Sequence, residues 1–481
     1  MPQVSKVRPE ENRYDLIVIG SGPAGEKAAV KAAYFGFRVA LVERSQAMGG
    51  AGANTGTLPS TALKESALFY SGKYDTGLYG ADRQLSGHAS IKDFMYRKAT
   101  VVEASSEEVR ENLQRHHVDV YKGHGHFSDA HHVVVDAPGT DPIMLSAANI
   151  VVATGTYPFH PAEIPFDGRR VHDSDTILEL ARLPRSLCIV GAGVIGCEYA
   201  TMFAAMGTKV YLVNQTKDIL GFVDQEISGA LVDQMKADGI EVLLGASLDS
   251  VRPPEADDAG VAVSLGDGTE LSVDMFLFAA GRSGCTDGLG LGTAGINRGK
   301  RQTIVVNQHY QTNVPHIYAV GDVIGFPALA STSMDQGRVA VSHMFQINDY
   351  DSLPKVLPFG IYTIPEVSMV GITEEQAQES GLEYFVGRAH HARMARGMIM
   401  GTKAGLMKLI IRRGDSVIVG VHLIGQWSSE LIHYGMTLVN DRKSIMQVTS
   451  TVFNYPTLHE LYKYACYDAL SGLSGRKLRE T

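Results

Sequence analysis

Gly20, Gly22 and Gly25 stand in the spacing G-x-G-x-x-G, and Glu43 follows Gly25 by 18 residues. Glycines so placed suit one task. The first permits a tight turn, the second lets backbone approach a pyrophosphate, and the third lets a helix lie close on a strand. An acid at the Glu43 position can then accept hydrogen bonds from an adenosine ribose. Gly191, Gly193 and Gly196 repeat the spacing, but Asn214 stands where the acid would be. A carboxylate there would repel a ribose 2′-phosphate by about 2–3 kcal/mol per unit charge at ~6 Å and an effective dielectric of ~20, roughly a hundredfold in affinity. Neutral Asn214 can bond a hydroxyl without excluding a phosphate, and Lys217 is close enough in sequence to add positive charge. The second site is expected to admit both NAD and NADP. The competing reading is that Asn214 only caps its turn.

The elements around these residues decide which matches count. Glycine is 51 of 481 residues, and at that frequency chance alone produces the motif roughly half the time. The first match follows the apolar run DLIVI (15–19), opens a helix through EKAAVKAAYFGFR and is followed by VALVE, which ends in Glu43. The second follows LCIV (187–190), opens CEYATMFAAMG and leads into KVYLV, which ends at Asn214. Both are strand–turn–helix–strand units. A third match, Gly290, Gly292 and Gly295, has no strand before it and no acid-bearing strand after it, and reads as a loop.

Composition bounds the rest. Hydrophobic residues are 44% and charged residues 20%, ordinary globular values that argue against disorder. With 43 basic against 52 acidic residues the net charge is −9, so phosphate-neutralising nucleic-acid binding is not expected. No apolar stretch approaches the ~20 residues of a membrane span, and MPQVSKVRPEENRYD has no apolar signal region. A cytoplasmic location is expected. Cys188, Cys197, Cys285 and Cys466 are too scattered for a C-x-x-C pair. Among 17 histidines, the pairs at 116–117, 131–132 and 390–391 have no carboxylate or cysteine at ligand spacing, so no metal is expected. His124 and His126 are expected to flank the KGHGHF strand on alternate sides, so packing explains them.

Further segments suggest a flavin beside a nicotinamide. VVATG (151–155) reads as a strand ending in a glycine turn, FAAGR (278–282) as its counterpart after the second unit, and TNVPHIYAVGD (312–322) as a strand delivering an acid. With VGDVIGFPALAS (320–331), DILGFVDQEIS (218–228), FGIYTIPEVSMVG (359–371) and FNYPTLHELYKYA (453–465), nearly the whole chain resembles the flavoprotein disulfide reductases, and within them the soluble pyridine nucleotide transhydrogenases.

The resemblance implies an α/β fold of two Rossmann-like dinucleotide-binding domains, the second inserted in the first, plus a C-terminal α+β dimerisation domain. An FAD-binding domain would span 1–158 and 281–350, an NAD(P)-binding domain 159–280 and an interface domain 351–481. It implies FAD against Gly20, Gly22, Gly25, Glu43, Arg44, Gly49, Gly50, Gly125, Thr154, Gly155, Gly321, Asp322, Leu329 and Ala330. Met48 would run along the cofactor with Gly49 and Gly50. The nicotinamide nucleotide would meet Gly191, Gly193, Gly196, Asn214, Lys217, Gly281 and Arg282. A homodimer is implied, with larger polymers also compatible, and Trp427 and SSELIHYGMTLVN are expected at the interface.

Departures from the family redirect the chemistry. The two redox-cysteine positions hold Gly52 and Thr57, so thiol–disulfide exchange, which needs a thiolate, is excluded. The C-terminal His-Pro base is Tyr455-Pro456, with Glu460 kept; a tyrosine of reference pKa near 10 is a poor base at neutral pH. Thr61 replaces the lysine that pairs with the retained Glu198 near the flavin, leaving Lys27 or Lys64 to compensate. With no disulfide, the flavin alone can hold two electrons. The leading expectation is hydride transfer from NADPH to NAD⁺ through one nicotinamide site, with Glu198, Thr57, Tyr455 and Glu460 as candidate catalytic residues. An NAD(P)H diaphorase acting on a quinone and a non-catalytic nucleotide-binding subunit are the alternatives.

Overall fold

The computed structural model describes residues 12–74, 78, 89–254, 259–349 and 352–474; most of the N-terminal segment read above for signals (1–11) lies outside them. The chain divides into two compact units, Met1–Ala62 with Tyr96–Phe159 and Gly281–Pro354, and Leu63–Met95 with His160–Ala280 and Lys355–Thr481.

In the first unit the run DLIVI becomes the central strand Arg13–Ile19. It pairs in parallel with Val39–Glu43 on one side and Ile143–Val152 on the other. Asp119–Lys122 continues the sheet beyond Val39–Glu43, and Ile317–Ala319 pairs in parallel with Ile143–Val152. The hairpin His124–Phe127 and His132–Asp136 adds antiparallel strands. Leu16 and Val18 join one apolar core and Ile17 and Ile19 the other, as expected of a strand buried on both faces. Helices Pro23–Tyr34 and Ala330–Phe345 meet closely: a Cβ on Gly337 would lie 2.4 Å from the Ala24 carbonyl oxygen.

The second unit contains a five-stranded parallel sheet in the order Glu241–Leu244, Lys209–Asn214, Ser186–Val190, Met275–Phe278, Val171–Asp173. A three-stranded antiparallel meander, Leu248–Arg252, Val261–Leu265 and Glu270–Val273, accompanies it. The C-terminal antiparallel sheet runs Phe359–Ile361, Glu366–Gly371, Ile418–Gly425, Leu406–Arg412, Tyr384–His390. The segment SSELIHYGMTLVN is the helix Ser428–Asn440. One apolar core joins the parallel sheet to this C-terminal sheet, since Leu212, Leu220 and Phe203 share it with Ile361, Ile364 and Ile424. Leu63, Ala67 and Phe94 complete that core, which explains why residues 63–95 belong to this unit. The third glycine match lies in turns.

Candidate nucleotide-binding sites

The first glycine cradle is closed by sterics. Gly20 has φ +106°, and a Cβ there would lie 2.4 Å from the Ala153 carbonyl oxygen; one on Gly25 would lie 1.9 Å from the Gly20 carbonyl oxygen. Neither place can take a side chain without backbone movement. Gly22 caps the helix Pro23–Tyr34, whose unpaired N–H groups and dipole favour an anion. Gly50 has φ +55° and faces Gly22 so closely that a Cβ would come within 2.8 Å of the Gly22 Cα. Two backbones meet here with no side chain between them.

Buried Glu43 organises the cradle. One carboxylate oxygen accepts from the Ser21 N–H (2.9 Å) and hydroxyl (2.7 Å), and the other accepts from the Ser45 N–H (2.8 Å). The Ser21 hydroxyl also accepts from the Gly49 N–H at 3.0 Å. Sequence reading missed Ser21. Its signal was a hydroxyl residue inside the glycine turn, opposite the acid that ends the next strand. Lys122 holds the following turn by donating to the carbonyls of Ser45 (2.9 Å) and Gln46 (3.1 Å), and burial lowers its ammonium pKa.

Other expected residues gather in the same unit. A Cβ on Gly125 would press on Val42 and Ile19, so this glycine faces the ends of the first two strands. The Gly321 N–H donates to buried Gln336 at 2.7 Å, another residue the sequence reading did not single out. Asp322 accepts from Thr156 at 3.3 Å. Burial raises its carboxyl above the usual range, while Arg282 and Thr156 pull it back. Arg282 is placed in this first unit, donating to the Thr156 hydroxyl (2.8 Å) and carbonyl (2.9 Å). Gly155 has φ +69°, and Leu329 caps the helix Ala330–Phe345. Arg44 reaches the Cys285 sulfur at 3.4 Å.

These residues fit a dinucleotide cofactor on physical grounds. Thr154 Oγ1, Thr61 Oγ1 and Asn54 Oδ1 are buried without a hydrogen-bond partner among the described residues. Buried polar atoms are normally satisfied. Unsatisfied oxygens in the same unit as a glycine cradle and a buried carboxylate suit a polyhydroxylated ligand.

The second cradle repeats the sterics in the second unit. Gly191 has φ +106° and lies against Ala279, and a Cβ on Gly196 would sit 1.8 Å from the Gly191 carbonyl oxygen. Gly193 caps the helix Val194–Ala205 with open space where its Cβ would be. Asn214 Oδ1 accepts from the Ala192 N–H at 3.0 Å, as Glu43 accepts from Ser21 in the first cradle. Its amide donates to Thr216 Oγ1 (2.7 Å) and the Asp218 carbonyl (2.9 Å).

The candidate catalytic residues fall as follows. Buried Glu198 accepts from the Tyr362 N–H at 2.8 Å, a backbone partner that the sequence reading missed. Buried Lys64 gives its ammonium to Glu366, and Lys27 gives its own to Glu26 at 2.8 Å. Thr57 is exposed and opens the helix Thr57–Ser71. Tyr455 is 74% exposed, and Glu460 starts the helix Glu460–Ser474. Gly52 lies against Pro23, so a Cβ there would come within 2.7 Å of the proline ring. Burial pushes the Cys188 and Cys466 thiols up to about 12, and that of Cys197 higher still, which leaves them unreactive.

Two expectations are corrected. The pair 131–132 does have a carboxylate, with an Asp129 oxygen 2.8 Å from His132 Nδ1. His124 and His126 stand on one face of their strand rather than on alternate sides, and Asp136 lies opposite His124 in the hairpin register with an oxygen 3.2 Å from His126 Nδ1.

Two family models cover the chain, pyridine nucleotide-disulphide oxidoreductase over residues 14–337 and its dimerisation domain over 357–466. The chain belongs to the pyridine nucleotide-disulphide oxidoreductases. Within that family it is similar to the soluble pyridine nucleotide transhydrogenase of Mycobacterium tuberculosis (strain ATCC 25177 / H37Ra), 41% identical over 95% of this chain and 97% of the relative. The Pectobacterium atrosepticum protein of the same description is 38% identical over 96% and 98%. Among solved structures, the copper(II) complex of the HOCl-induced flavoprotein disulfide reductase RclA from Escherichia coli superposes with a TM-score of 0.85 at 28% identity, covering 96% of this chain and 100% of that one. LpdA from Mycobacterium tuberculosis gives 0.87 at 25%, covering 95% and 99%. The fold of this family is the one expected from the sequence: two dinucleotide units, the second inserted in the first, and a C-terminal dimerisation domain.

Proposed function

We propose that this chain is an FAD-dependent pyridine nucleotide transhydrogenase that moves hydride between NADPH and NAD⁺. One observation carries the reading: both glycine cradles are sterically complete, while Gly52 and Thr57 stand where the family's redox cysteines belong. The names of relatives at 38–41% identity support it.

FAD supplies, when bound, a two-electron carrier able to take and return hydride. Gly20, Gly22, Gly25, Gly49 and Gly50 would hold its pyrophosphate by backbone, and Glu43 its ribose. Gly125 would meet the adenine, with Arg44 nearby, and Asp322 would take a ribityl hydroxyl. Thr154, Gly155, Leu329 and Ala330 would border the flavin ring. Gly191, Gly193 and Gly196 would hold the nicotinamide nucleotide's pyrophosphate. Asn214 and Lys217 would meet its adenosine ribose. Glu198 would flank the hydride path. Thr57 brings no thiol, and Tyr455 and Glu460 would act where two subunits of a homodimer meet. We place this enzyme in the cytoplasm.

One nicotinamide site that serves both nucleotides in turn requires ping-pong kinetics. Initial rates with NADPH and NAD⁺ varied together should give parallel double-reciprocal lines. Intersecting lines would mean that both nucleotides are held at once, contrary to this reading.

A further inference from the structure

The hairpin His124–Phe127 and His132–Asp136 brings together three metal-ligating side chains that are dispersed in sequence. Antiparallel register sets His124 opposite Asp136, and the two-residue strand period puts His126 on the same face as His124. One ligand atom each from His124, His126 and Asp136 lies within 4.8 Å of the others. The His126 Nδ1 to Asp136 Oδ2 distance is 3.2 Å. Zinc bonds of about 2.0–2.1 Å in tetrahedral geometry set ligands about 3.3 Å apart, so one edge of a site already has its length. Gly288 borders the His124 ring: a Cβ there would lie 3.2 Å from its Cε1, so a glycine lets this imidazole lie close against the backbone. Gly125, between the two histidines, faces Val42 and Ile19 instead, so the three ligands stand on the opposite face from the proposed adenine contact.

We infer that His124, His126 and Asp136 form a binding site for one divalent ion of the zinc, nickel and copper class, with a remaining coordination position left to water. Two imidazoles and a carboxylate select borderline transition metals over magnesium or calcium, which prefer all-oxygen shells. Such an ion would tie the two strands together.

The test is calorimetric titration of the chelator-treated, FAD-loaded protein with zinc chloride. One zinc per chain is expected. His124→Ala, His126→Ala and Asp136→Asn should each weaken binding at least about tenfold, the smallest loss that disturbing even an outer-shell partner brings. His132→Ala should bind as the parent does, because that ring is held separately by Asp129 at 2.8 Å. Flavin absorbance and zinc-free melting temperature establish that each variant is folded. No binding to the parent, or equal binding to a folded triple variant, would overturn the inference. So would a loss on His132→Ala as large as that on His124→Ala.

Discussion

Asn214 and Glu43 end equivalent strands and do the same local work, each accepting from the N–H after the first glycine of its cradle. Asn214 therefore does cap its turn, and the bland reading of the sequence describes a real part of its job. Its neutrality is what remains to act on a ligand. Asn214→Glu should weaken NADP⁺ binding roughly a hundredfold while changing NAD⁺ binding severalfold at most, since the added charge repels only the 2′-phosphate. Direct titration with both nucleotides checks this, and equal losses would remove Asn214 from the ribose. Gly52 carries a second prediction. Converting Gly52 and Thr57 together to cysteine should not create disulfide reductase activity, because a Cβ at position 52 meets the rigid ring of Pro23. A thiol count and an assay with a disulfide substrate decide it. The glycines and Glu43 were legible because steric need and residue type coincide. Ser21, Gln336 and the Tyr362 N–H were not, because a hydroxyl, an amide or a backbone group gives no spacing signal until the fold brings it to its partner.

At the scale of elements, ion pairs bind the nicotinamide part to the C-terminal sheet. Fully buried Asp224 caps the helix Gln225–Ala237, and buried Lys408 on the strand Leu406–Arg412 donates to it at 2.9 Å. Lys408 also pairs with Glu226 (3.0 Å) and Glu374 (2.6 Å). Burial alone would raise the Glu226 carboxyl, but hydrogen bonds from Arg388 and Lys408 bring it down to about 2. Lys408→Ala leaves a buried carboxylate uncompensated and should cost about 3–5 kcal/mol, seen as a clear drop in melting temperature. Asp274 yields a pH prediction. A hydrogen bond from Arg182, helped by the Arg185 N–H and by Arg170, lowers its carboxyl from the usual 3.8 to about 2. Its contribution to stability is complete above about pH 4 and fades as pH falls toward 2. Asp274→Asn should therefore flatten the acid limb of a stability–pH curve in that window and leave the neutral limb parallel to the parent's. The strands themselves were readable from apolar runs between glycine turns. The pairing of His124 with Asp136 was not, because antiparallel register, rather than sequence distance, brings them together.

At the scale of the whole molecule, the dimerisation domain leaves large apolar side chains at the surface of a single chain: Val452 is 92%, Tyr455 74% and Met446 58% exposed. They lie within the segment matched by the family's dimerisation-domain model, residues 357–466, so Val452 is the position chosen to test association. Val452→Asp should shift the protein from dimer toward monomer in sedimentation velocity, with folding unchanged by circular dichroism. The two dinucleotide units were legible as a repeated pattern, whereas the core shared by the parallel and C-terminal sheets was not, since hydropathy names buried residues without naming their partners. The central claim concerns hydride passing from one nicotinamide to another without a disulfide. Anaerobic stopped-flow spectroscopy on the FAD-loaded protein tests it most directly. Adding NADPH should bleach the flavin band near 450 nm, roughly where oxidised flavin absorbs. Subsequent NAD⁺ should restore the band as NADH forms. Bleaching that NAD⁺ cannot reverse and a quinone can would contradict transhydrogenation and make the protein a diaphorase.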